Sequence, residues 1–195
     1  VYAWMKDTAW QEVLREPTKL RADIRAYLEA ENAYTAAHLV APTQALQETL
    51  FAEMRGRIKE DDASVPEPDG PFAYVTRFRQ GGQYPILARI PINPETKEPT
   101  GPEQVMLDGD VEGKGKAFWQ LRASSHSPDH KWLAYAVDDK GSEYFTIRFR
   151  NLETGKDEGE AITESYGSFD WAADSRTVFW IWRDENARPS KVYRH

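Results

Sequence analysis

The 195-residue sequence predicts an α+β fold, with a helical arm first and antiparallel β-blades after it. Three observations carry this reading. Apolar residues recur at helical spacing up to about residue 62 and at alternating spacing from about residue 70. Ser127-Pro128-Asp129-His130-Lys131-Trp132-Leu133-Ala134-Tyr135, a turn running into a strand, returns as Ala172-Ala173-Asp174-Ser175-Arg176-Thr177-Val178-Phe179-Trp180, 45 positions on (129 to 174). A looser copy is Pro68-Asp69-Gly70-Pro71-Phe72-Ala73-Tyr74. Such a period, with several short strands per unit, is the signature of a β-propeller blade. Only about two to three units fit before His195, whereas closed propellers use roughly four to eight blades. The expectation is therefore an incomplete propeller, a piece of a larger protein.

In the arm, Pro17-Thr18 is predicted to start a helix with Thr18 as N-cap. Leu20, Ile24, Tyr27, Leu28 and Tyr34 follow at helical spacing. Pro42-Thr43 is predicted to start a second helix, striped by Leu46, Leu50, Met54 and Ile58. Each helix needs its stripe buried. From residue 70 onward, Phe72 to Arg79 and Tyr84 to Pro91 read as a hairpin across Gln80-Gly81-Gly82-Gln83. Residues 93 to 102 read as a loop. Strands are expected at Gln104 to Leu107, Ala117 to Ser124, Trp132 to Val137, Tyr144 to Asn151, Ser168 to Trp171, Val178 to Arg183 and Lys191 to Arg194. Asn151-Leu152-Glu153-Thr154-Gly155 is a turn whose glycine suits a positive φ. Asp129 and Asp174 are placed to bond backbone N–H groups of their turns. The many aromatics of the strand region, Trp132, Trp171 and Trp180 among them, read as blade packing.

Composition narrows the function. The net charge is −7, and residues 1–62 hold 8 Lys+Arg against 11 Asp+Glu, so no basic patch marks a nucleic-acid partner. There is no cysteine, hence no disulfide framework, cysteine nucleophile or cysteine metal site. No apolar run reaches membrane length, and a cytoplasmic location is expected.

The chemical motifs all read as structural. Asp108-Gly109-Asp110-Val111-Glu112-Gly113 begins like a calcium loop, but the twelfth position is Trp119. A solvated loop is expected there. His126 and His130 are split by Pro128 and flank a turn, so a surface role is expected rather than a metal or catalytic one. Glu60-Asp61-Asp62 and Asp157-Glu158-Gly159-Glu160 read as solvated charges. No Gly-x-Ser-x-Gly elbow occurs. No catalytic, cofactor-binding or metal residue is assigned to this segment.

Other residues resemble a known family. Tyr2-Ala3-Trp4-Met5-Lys6-Asp7, followed by the helix Tyr27-Leu28-Glu29-Ala30-Glu31-Asn32-Ala33-Tyr34, is similar to the opening of the prolyl oligopeptidase family of serine peptidases. Tyr144-Phe145-Thr146-Ile147-Arg148-Phe149-Arg150-Asn151-Leu152-Glu153-Thr154-Gly155 resembles a second-blade strand and turn of its oligopeptidase B (protease II) branch. The resemblance implies a seven-bladed propeller in the parent and a C-terminal α/β-hydrolase domain in cis, holding a Ser-Asp-His triad. It implies cleavage of short basic peptides after Arg or Lys, with the propeller restricting entry. On this reading residues 1–62 are an arm that packs on the hydrolase domain, and 70–195 are the first two to three blades. The segment alone would be inactive, and its stripe and open last edge imply self-association. The alternative is a WD-like protein-binding module with no peptidase domain; it accounts for the repeats but not for the arm.

Overall fold

A computed structural model describes residues 1–195. The chain divides into two compact units, Val1–Lys59 and Glu60–His195. No helix is long and apolar enough to cross a membrane.

The first unit is helical, but its boundaries differ from the predicted ones. Pro17–Lys19 closes only a 3₁₀ turn, and the Thr18 hydroxyl donates to Glu16 at 3.0 Å instead of capping a helix. Leu20 and Arg21 are extended, and helix α2 begins at Ala22 (α1, Trp10–Arg15; α2, Ala22–Thr35). Asp23 in the first turn complements the positive end of the helix and pairs with Arg21 at 2.6 Å. Pro42 does not begin a separate helix either. α2 runs through a π-helical stretch, Ala36–Val40, directly into α3 (Ala41–Gly56). The widened turn is where a proline can enter, because it has no N–H to give and its ring crowds the carbonyl four residues back. Thr43 returns its hydroxyl to the Leu39 carbonyl at 2.6 Å. Ile24 is the buried apolar residue of α2. Trp4 stands edge-on to Tyr27, with centroids 5.3 Å apart, so the Tyr2–Asp7 motif packs on α2. Leu46, Leu50 and Met54 lie exposed along α3, and Ile58 falls just past its end.

The second unit holds two antiparallel sheets. The first has the order β1 (Glu67–Asp69), β2 (Phe72–Arg77), β3 (Ile86–Pro91), β4 (Gln104–Asp108). The expected hairpin is β2 and β3, paired from Phe72↔Pro91 to Arg77↔Ile86. Strand β1 has no alternating apolar pattern and was legible only as a turn. It is an edge strand, where Pro68 costs no ladder bond, and it reverses through Gly70 at φ +55°. The Asp108 segment is not a solvated loop. Gly109–Glu112 forms a short helix, α4, and the Asp108 carboxylate caps it by accepting from the Asp110 and Val111 N–H groups at 3.1 and 3.3 Å. Asp110 accepts from the backbone N–H groups of Gln83 and Tyr84 at 2.9 and 3.0 Å. Both carboxylates are thus engaged by the protein itself.

The second sheet has the order β10-β9-β8-β7-β6-β5. Its strands are β5 (Gln120–His126), β6 (Trp132–Asp138), β7 (Phe145–Asn151), β8 (Ile162–Trp171), β9 (Val178–Arg183) and β10 (Pro189–Arg194). Strand β8 is longer than the predicted Ser168 to Trp171. Its first half pairs with β7 through Ile147↔Ile162, and its second with β9 through Phe169↔Trp180. Gly167, at φ +91°, makes the bend between the halves. A Cβ there would stand 2.6 Å from the Arg122 side chain and 2.9 Å from the Phe145 ring. One bent strand therefore pairs on both sides and keeps β5–β10 in a single six-stranded sheet. The ten strands are fewer than a closed propeller requires.

Strand β6 is buried on both faces. Leu133, Tyr135 and Val137 join Leu87, Leu107 and Trp119 of the seam between the sheets. Ala134 and Ala136 face the other way, toward Phe145, Ile147, Phe149 and Val178. Trp132, Trp171 and Trp180 close this second core, as the aromatic clustering predicts, whereas Phe118 and Phe179 stay exposed.

The two repeat copies bond alike. The Ser127 N–H donates to the Trp132 carbonyl at 2.9 Å, and the Ala172 N–H to that of Thr177 at 2.8 Å. Asp129 accepts from the Ser127 hydroxyl at 2.6 Å and the Lys131 N–H at 3.2 Å. Asp174 accepts from the Arg176 and Thr177 N–H groups, both at 2.9 Å. Backbone bonds from Arg176, then the Thr177 hydroxyl, hold the Asp174 carboxyl below the usual carboxylate range. A depressed folded-state value means stability that is present above the unfolded value near 3.8 and lost as pH falls through the folded one. Asp174→Ala is thus expected to lower the melting temperature at pH 7, and the gap to the parent protein should narrow progressively as pH is taken below about 3.8. A gap that persists unchanged in acid would place the effect elsewhere than in the carboxylate.

Candidate functional site

Two polar clusters stand in the seam between the sheets. The first gathers Asp69 at the end of β1, Tyr74 on β2, His126 at the end of β5, and His130 in the turn that follows. Local structure dictates each placement. Gly70 lets the His130 ring come close: a Cβ there would lie 2.6 Å from His130 Nε2. His130 sits at φ +62°, the left-handed corner of the Pro128-Asp129 turn. The His126 ring stacks on Tyr74, centroids 3.9 Å apart and 9° from parallel. The two imidazoles are 5.1 Å apart by centroid.

Hydrogen bonds orient both rings. His126 Nδ1 lies 3.1 Å from the Ser127 carbonyl, which can only accept, so Nδ1 carries the hydrogen. In the neutral ring Nε2 then presents a lone pair, 3.4 Å from an Asp69 carboxylate oxygen. His130 Nδ1 is 2.7 Å from the Tyr74 hydroxyl. One ligating atom each from Asp69, His126 and His130 lie within 4.8 Å of one another. Burial, then the nearby His126, lowers the His130 pKa and favours its neutral form. Burial also pushes the Tyr74 phenol up to about 12, so it stays protonated. Arg89 donates to the His130 carbonyl while its guanidinium lies 4.0 Å over the Phe72 ring. A cavity of about 470 Å³ opens beside the cluster, bounded in part by Asp69, Tyr74, Ser124, His126 and Leu133.

The second cluster centres on Arg150 of β7, whose side chain is 12% exposed. It meets Asp157 at 2.8 Å and Glu112 of α4 at 3.0 Å. The Tyr135 hydroxyl donates to Asp157 at 2.6 Å and accepts from Arg150 at 3.1 Å. Burial alone would lower the Arg150 pKa, but Asp157, Tyr135 and Glu112 outweigh it and raise it. Burial and the bond to Asp157 raise the Tyr135 phenol. Asp157, expected to be a solvated charge, is instead paired with the largely buried Arg150 while its own side chain stays about a third exposed. Sequence gives no sign of this, because Arg150 and Tyr135 reach Asp157 from two different strands, and Glu112 joins Arg150 from α4.

The structure keeps His126 and His130 flanking their turn, as the intervening Pro128 predicts. Sequence reasoning missed Asp69, which lies 57 positions before His126 (126 − 69). A signal did exist. Pro68-Asp69-Gly70 is the loose copy of Pro128-Asp129-His130, and neighbouring blades bring equivalent turns side by side. The same stacking joins the next pair of turns, where the Asp129 N–H donates to the Ser175 hydroxyl at 3.0 Å.

Comparison with known proteins agrees with this architecture. The family model described as the prolyl oligopeptidase N-terminal β-propeller domain matches residues 1–195. Dipeptidyl aminopeptidase BI of Pseudoxanthomonas mexicana is 37% identical over 188 residues, which are 91% of this chain and 26% of that protein. Protease 2 of Moraxella lacunata is 28% identical over 196 residues, covering 100% of this chain and 27% of its own length. The solved structure of oligopeptidase B from Leishmania major superposes with a TM-score of 0.86 at 29% identity, over 100% of this chain and 26% of that one. The chain thus spans about a quarter of the length of these relatives. With a helical unit leading into curled antiparallel blades and a match from end to end, the chain belongs to the prolyl oligopeptidase family, as its N-terminal β-propeller segment.

Proposed function

We propose that this chain is the N-terminal part of an oligopeptidase B-like serine endopeptidase that cleaves short peptides after Arg or Lys, in the cytoplasm. The observation that carries the reading is the likeness to oligopeptidase B over the whole chain, at a TM-score of 0.86 and 29% identity. The triad belongs to a C-terminal α/β-hydrolase domain in cis. This segment contributes scaffold and restricted access and no catalytic residue. The exposed stripe Leu46, Leu50 and Met54 suits burial against such a domain. By itself the segment is inactive and self-associates through that stripe and the exposed last strand, Pro189–Arg194. Access control has a plain physical basis: a narrow passage admits a flexible peptide and excludes a folded domain.

A second reading follows from the 37% identity to a dipeptidyl aminopeptidase: the whole protein would release dipeptides from free N-termini. One experiment separates the two. The full-length protein is assayed on Arg and Lys peptides with blocked N-termini, on the same peptides unblocked, and on a folded protein containing the same bonds. The first reading expects turnover of the blocked and unblocked peptides and none of the folded protein. Turnover of unblocked peptides alone establishes the second. Turnover of none overturns both.

A further inference from the structure

We propose that Asp69, His126 and His130 form a binding site for one divalent transition-metal ion of the zinc class, clasping the β1–β2 turn of the first sheet to the 126–130 turn of the second. The proposal is independent of the peptidase reading, because it concerns this seam and its readout is binding.

The donor set selects the ion. Two imidazoles and one carboxylate suit zinc, cobalt or nickel, whereas calcium and magnesium take oxygen ligands almost alone. The spacing also fits. Donors about 2.0–2.2 Å from a tetrahedral ion lie roughly 3.3 Å from each other. The His126 and Asp69 donors are already 3.4 Å apart, and the full set lies within 4.8 Å. Asp69, whose side chain is 61% exposed, is the ligand with the most room to adjust. The two rings are the fixed partners, and their outer nitrogens are held as metal-bound histidines usually are. His126 Nδ1 donates to the Ser127 carbonyl, and His130 Nδ1 is bonded to the Tyr74 hydroxyl. That leaves Nε2 of each ring for the ion, and His130 Nε2 points at the 69–70 turn that carries the carboxylate. Three protein ligands leave a fourth position, beside the cavity next to Asp69 and His126, for water or an anionic ligand.

The test uses the full-length protein, stripped with chelator and titrated with Zn²⁺ by calorimetry, then with Co²⁺ to record visible absorption. The variants are Asp69→Asn, His126→Gln and His130→Asn; asparagine tolerates the left-handed backbone at position 130. One zinc equivalent is expected in the parent protein and should weaken by about 100-fold or more in each variant. Tyr74→Phe, which frees the outer nitrogen of His130, should weaken it by about 10- to 100-fold. The Co²⁺ protein should show the intense bands of a four-coordinate site, absent from the variants. Zinc should raise the melting temperature of the parent and leave that of Asp69→Asn unchanged. Asp69 is exposed, so this variant keeps its fold whatever the others do. Zinc stoichiometry and affinity in Asp69→Asn equal to those of the parent would overturn the proposal, as would the absence of any equivalent that the variants remove.

Discussion

Ile147→Ala is expected to destabilise the fold by about 3 kcal/mol, within the range for emptying a packed core position. Ile147 is fully buried at the centre of β7, with Ala136 opposite it on one side and Ile162 on the other. Phe145, Phe149 and Val178 pack in the same cluster. Its neighbours on β6 are Ala134 and Ala136, which are too small to fill the space it would leave. Blade strands are also pinned by their ladders, so the walls cannot collapse inward without breaking backbone bonds. Ile147→Val should cost only about 1 kcal/mol, since one methylene is lost. Urea unfolding followed by tryptophan fluorescence measures both. The midpoint should move while the slope stays constant, because the area exposed on unfolding hardly changes. An alanine variant losing less than the valine one would mean that this core relaxes freely.

Arg150→Met is expected to cost about 2–3 kcal/mol, at or just below the usual loss from breaking a buried ion pair. Methionine keeps most of the packing volume, so the loss reports charge and hydrogen bonding. The change strands Asp157, which retains the Tyr135 hydroxyl, and Glu112, which loses the Arg150 contact. Their side chains are 32% and 27% exposed, so water can rescue them in part, which places the cost at the lower end. Removing Asp157 as well should give back some of the loss. A double-mutant cycle built from Arg150→Met, Asp157→Ala and their combination measures the coupling. Additive losses would show that the two residues act independently, against the geometry found here.

The repeat was legible because turn chemistry is local. Asp129 and Asp174 bond N–H groups two or three residues ahead, and the apolar triplets that follow, Leu133-Ala134-Tyr135 and Val178-Phe179-Trp180, are short apolar runs bounded by turns, as buried strands are. The hairpin from Phe72 to Pro91 was legible for the same reason. Strand β1 and the first half of β8 were not, because Glu67-Pro68-Asp69 and Thr163-Glu164 are polar and pair only because a neighbour offers an edge. The continuity of α2 through α3 was hidden by Pro42, which locally signals a helix start and is here absorbed by the wider turn over Ala36–Val40.

The sequence by itself determined the helical arm, the blade repeat, the aromatic packing and the family, all of which rest on periodicity and on residues close in the chain. Only the tertiary structure decided which side chains meet across the seam. It brought His126 and His130, read from the chain as turn residues, into one cluster with Asp69, and made Asp157 the partner of Arg150. The physical reason is that stacking one blade on the next joins residues tens of positions apart. Their attraction depends on burial and distance, neither of which spacing along a chain records.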